Sequence, residues 1–68
     1  MNILTEIIEL ADEIILELAN TNFFIENPFV DSEKLQRKFE IQMQYNWEQL
    51  DDIHLSEKQM IDIIKEVH

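Results

Sequence analysis

Residues 6–20 read EIIELADEIILELAN, with five acids and no base among isoleucine, leucine and alanine. Advancing about 100° per residue sorts this stretch and its flanks into two halves. Ile3, Leu4, Ile7, Ile8, Leu10, Ala11, Ile14, Ile15, Leu18 and Ala19 fall in one arc of about 180°. Asn2, Thr5, Glu6, Glu9, Asp12, Glu13, Glu17 and Asn20 fill the other, with Leu16 set among the acids. The pattern predicts a first helix over about residues 3–20. Its apolar arc is wider than the ~100° stripe of an ordinary surface helix. That width suits the central helix of a small bundle or one side of a dimer seam. EIIELAD and EIILELAN echo each other at seven residues, too briefly for a coiled coil.

Downstream, TNFFIENPFVDS interrupts the helical period, because the residue before a proline avoids the helical region. Asp31 or Ser32 can then cap a second helix over about residues 32–52. Leu35, Phe39, Met43, Trp47, Leu50 and Ile53 share its expected core face, while Ile41 and Tyr45 fall on another face. Ser56 with Gln59 matches a capping box, and Leu55 with Met60 fits the staple around it. These signals start a third helix at about residues 56–67, with Met60, Ile61, Ile63, Ile64 and Val67 as its apolar face. Without them, DDIH carries no glycine or proline to separate the second and third helices. The fold class is all-α: one small acidic domain, a three-helix bundle with short connections that favour antiparallel neighbours.

The chain is 68 residues long, and domains this small bury only about 60% of their unfolded surface. The usual staples are missing. No cysteine is available for a disulfide or thiolate site, and two histidines are too few for a structural zinc. Packed helices or oligomerisation must supply the stability. Glycine is absent, which excludes glycine-rich phosphate loops, dinucleotide fingerprints and the usual calcium loop. No cofactor or metal is expected. The acids lie on solvated faces without a cleft to separate their pKa values, so no catalytic carboxylate pair is expected either. Asp51 and His54, at i and i+3, read as surface residues straddling a helix end.

Net charge is −10. A field of that sign repels nucleic acid and anionic membranes and attracts basic proteins. No basic leader and no apolar run of about 18 residues is present, so a soluble cytoplasmic protein is expected. Glu9, Glu13 and Glu17 repeat at i and i+4, placing like charges about 6 Å apart. The strip is either a solvated face or a docking surface for a basic partner. In the second reading Glu6, Glu9, Asp12, Glu13 and Glu17 supply about one charge per 4 Å. A DNA strand carries one per about 3.4 Å, so a nucleic-acid-binding protein is one such partner. Leu16 would anchor the contact.

Phe23, Phe24, Ile25, Phe29 and Val30 are more apolar than a solvated loop needs. They are expected to fold back over one end of the core, or to leave an aromatic anchor exposed. Ile41, Tyr45, Phe23 and Phe24 form the candidate secondary interface, for a partner or for a second copy. Lys34, Arg37 and Lys38 sit near a helix start, where cations oppose the dipole, which suggests that they answer acids elsewhere in the chain or in another copy. Size and charge place the chain beside small antitoxins, phage-encoded or mobile-element inhibitors and regulatory adaptors. The two functional readings are an acidic binding protein and a self-associating regulatory module.

Overall fold

The computed structural model describes residues 2–68. Helix α1 spans Ile3–Asn20, a single helical turn α2 spans Phe23–Glu26, α3 spans Ser32–Leu50 and α4 spans Glu57–Val67. No strand occurs among the described residues, and the architecture is a small all-α bundle.

Short polar side chains set the helix starts. Asn2 accepts from the Leu4 amide at 3.0 Å, and Asp31 accepts from the Glu33 amide at 2.9 Å. At α4 the Ser56 hydroxyl accepts from the Gln59 amide while the Gln59 side chain accepts from the Ser56 amide, both at 3.1 Å. Each satisfies a donor that the first turn leaves without a partner. The ends are managed without glycine. Asp51 ends α3 at φ 57° and Asn22 precedes α2 at φ 64°, both in the left-handed region that Asp and Asn tolerate best after glycine. The second helix therefore stops at Leu50, slightly short of the expected residue 52, because Asp51 already turns the chain.

The centre of the bundle is α3, not α1. Its Phe39, Leu35 and Met43 are the largest fully buried side chains, and it packs against α1 on one side and α4 on the other. No comparable packed pair forms between α1 and α4. Ile7 and Ala11 are the only residues of α1 that are fully buried. The rest of its wide apolar arc is not shared between two neighbours: Leu4 and Ile8 stay exposed, and Leu10, Ile14 and Leu18 are half-buried. Val30, Ile63 and Val67 complete the core.

Trp47 and Leu50, expected in the core, are exposed, and Asn46 is buried instead at 2% exposure. On the helical wheel Asn46 lies between Leu35 and Phe39, so the backbone aims it inward. Its amide is fully used there. Asn46 donates to the His54 carbonyl at 3.1 Å and to Gln59 Oε1 at 2.8 Å, and accepts from Gln42 at 3.0 Å and Gln59 at 3.1 Å. Leu50 is the last residue of α3 and is 70% exposed.

The aromatic segment divides. Val30 is buried and the Phe23 and Phe24 rings, 5.1 Å apart and edge to face, pack on the core. Phe23 and Phe24 are thus half-buried core cover and not free anchors, because the turn α2 folds them under α1. Ile25 and Phe29 remain in solvent, Phe29 at 86% exposure.

Replacing Asn46 with Ala should remove four hydrogen bonds and leave the Gln59 amide partly unsatisfied. The expected loss is about 1–3 kcal/mol, and each kcal/mol lowers the Tm of so small a domain by about 4–8 °C. Thermal and urea unfolding measure it; a change below about 0.5 kcal/mol would show that the amides do not hold α4 in place.

Candidate functional site

The residues proposed from sequence for partner contact lie along α1. Glu9, Asp12, Glu13 and Glu17 are exposed, Glu6 is half-buried, and Leu16 stands among them at 56% exposure. No ion pair reaches any of these acids among the described residues. The pairs formed there are Asp52–His54 and Lys58–Asp62, both at 2.9 Å. Lys34, Arg37 and Lys38 therefore do not answer the α1 acids within the chain. Ile41 and Tyr45 are exposed at 67% and 59%, on the outer face of α3.

A groove that the sequence did not announce runs beside α1. Its first basin, of about 380 Å³, is lined by Ile3, Glu6, Glu9, Leu10 and Glu13 of α1, by Trp47, and by residues 51–54. The start of α1 thus faces the end of α3, which makes the two helices antiparallel. The second basin, of about 410 Å³, is lined by Leu10, Glu13, Ile14, Glu17, Leu18 and Thr21 against His54, Leu55 and Met60. Leu10, Glu13 and His54 line both, so the two basins adjoin as a trough beside α1. It lies where α1 and α4, both packed on α3, pack less closely on each other. Sequence periodicity could signal the excess apolar width of α1, but not that the neighbour on that side would be missing.

The far rim of the trough is the α3–α4 connection. Asp52 accepts from the His54 backbone amide at 3.0 Å and from its ring Nδ1 at 2.9 Å. The sequence spacing pointed to Asp51 with His54, but Asp51 is committed to ending α3 and Asp52 makes the contact. The backbone amide, then the ring, hold the Asp52 carboxyl below the ordinary aspartate range. Among the described residues no three His, Asp or Glu side chains converge to hold a metal ion, and no helix is long and apolar enough to cross a membrane. Compared with known proteins, the chain matches no family model, no curated protein and no solved structure.

In an NMR titration the Asp52 carboxyl should show a midpoint below that of an unstructured aspartate. Much of this depression should survive His54→Ala, since the amide at residue 54 still donates. The sign for stability follows: a depressed folded pKa contributes stability above the unfolded value, lost as pH falls through the folded one. An ordinary midpoint in the native chain would show that the turn at residues 52–54 is not formed.

Proposed function

We propose that this chain is a non-enzymatic acidic binding protein of the cytoplasm, an inhibitor or regulator. It lays the acidic face of α1 on a basic surface of another protein, such as the nucleic-acid-contacting surface of a DNA- or RNA-binding protein. The observation that supports this reading is the row of solvent-facing acids on α1 with no cation paired to it among the described residues. Glu9–Glu13 and Glu13–Glu17 repulsion costs the helix about 0.2–0.5 kcal/mol per pair, and nothing in the chain offsets it locally. A basic partner would. Leu16 adds an apolar contact in the middle of the strip, where a purely solubilising face has no need of one.

A second reading is self-association through the outer face of α3, where Ile41 and Tyr45 stand exposed near Lys34 and Lys38. Two chains of net charge −10 must overcome mutual repulsion to meet, which ranks this reading second.

Partners captured from lysate of the source cells at low salt, released at high salt and identified by mass spectrometry supply the binding assay. The variant with Gln at positions 9, 13 and 17 should then bind that partner at least ~10-fold more weakly, a loss of about 1.4 kcal/mol. The same variant should be equally helical and slightly more stable, because two like-charge pairs are gone. Unchanged affinity would overturn acidic docking. For the second reading, sedimentation equilibrium at high protein concentration and moderate salt should give a dimer mass that Tyr45→Ser returns to monomer; a monomer throughout rejects it.

A further inference from the structure

We propose that the trough beside α1 seats one basic amphipathic helix of the partner protein. The apolar stripe of that helix rests on Leu10, Ile14, Leu18, Leu55 and Met60, and its Lys or Arg side chains reach acids on both rims. The inference rests on the acidic-docking reading above and adds where and in what form the partner binds.

Three features of the trough select this occupant. Its floor is apolar and half-buried, so it gains from covering by an apolar stripe and not by a nucleic acid or a polar loop. Its rims carry one sign of charge: Glu6, Glu9, Glu13 and Glu17 on the α1 side, Asp51 and Asp52 on the other. Among the described residues the only other titratable side chain lining it is His54, already engaged by Asp52. Its length, from Ile3 to Thr21, is about 27 Å at 1.5 Å per residue, which accommodates a helix of about 18 residues. An apolar floor edged by Glu13 and Glu17, adjoining a basin with acids on both sides, is the complement of a helix with an apolar stripe flanked by cations, the helix-in-groove mode of recognition. The side where α1 and α4 pack less closely than either does on α3 is where that helix would complete a fourth side of the bundle.

The acidic strip and the trough make different demands. A flat basic surface would touch Glu9, Asp12 and Leu16 and leave the floor untouched. A helix in the trough would use Glu13 and Glu17 and spare Asp12, which lies outside the lining.

The test uses an 18-residue synthetic peptide of Lys and Leu at amphipathic helical spacing, and a second peptide of the same composition with the spacing scrambled. Binding to the intact chain is followed by the emission of Trp47, the single tryptophan, which lines the trough. Methyl NMR of the Leu, Ile and Met residues maps the contact. One amphipathic peptide should bind per chain, at least ~10-fold tighter than the scrambled one. Leu10, Ile14, Leu18, Leu55 and Met60 methyls should shift, and E13K with E17K should weaken binding far more than D12K, both variants keeping native helicity by circular dichroism. Equal binding of both peptides, with shifts centred on Leu16 and equal sensitivity to D12K, overturns the trough but leaves acidic docking standing. Binding of neither peptide at low salt overturns both. Concentration-dependent shifts of trough methyls and Ile41 without peptide would assign the trough to a second copy of this chain, and so overturn a foreign helix.

Discussion

The carboxamide of Asn46 is the interaction on which the rest of the structure depends. It lies in the middle of the α3 core face, where burial without partners would cost on the order of 1–3 kcal/mol. Gln42, Gln59 and the His54 carbonyl use all of its hydrogen-bonding capacity. Gln59 is at the same time the third residue of the α4 capping box, accepting from the Ser56 amide. One amide pair therefore joins the register of α4 to that of α3. A shift of α4 by a single residue would leave buried amides without partners, so the hairpin has one low-energy arrangement.

The same network shapes the trough. Holding the His54 carbonyl positions the connection of residues 51–56, and that connection is the far wall of the trough. Because α4 is tied to α3, it does not slide across to cover Leu10, Ile14 and Leu18. The trough stays open through a constraint formed on its other side. The acids along its rims then give it a sign.

The core that supports this is small: Ile7, Ala11, Val30, Leu35, Phe39, Met43, Ile63 and Val67. Large apolar side chains such as Phe29, Ile41 and Leu50 remain in solvent around it. A domain with so little buried area is limited more by packing than by charge, and substitutions in the α3 column fall hardest; truncating Phe39 removes about 3–5 kcal/mol. The exposed α1 acids, in contrast, lie outside the core and are free to serve a partner.

Local chemistry was legible. The periods of residues 3–20 and about 32–52, a cap at Asp31 or Ser32 and another at Ser56, the break before α4 and the Leu35–Phe39–Met43 column depend on neighbours within four residues, and sequence spacing reports those directly. So does the acidic face of α1, since charge along one helix needs no tertiary information. The exchange of Trp47 for Asn46 was not legible. The period pointed inward at Asn46, but its polarity argued for solvent until Gln59, thirteen residues away, supplied a partner. Nor could the period say that α3 would be central, or that the excess apolar width of α1 would line an open trough. The sequence by itself determined which faces are apolar and which are charged. Tertiary structure alone decided which apolar faces find a neighbour, because that depends on where three helices meet and on the buried amides that hold them there.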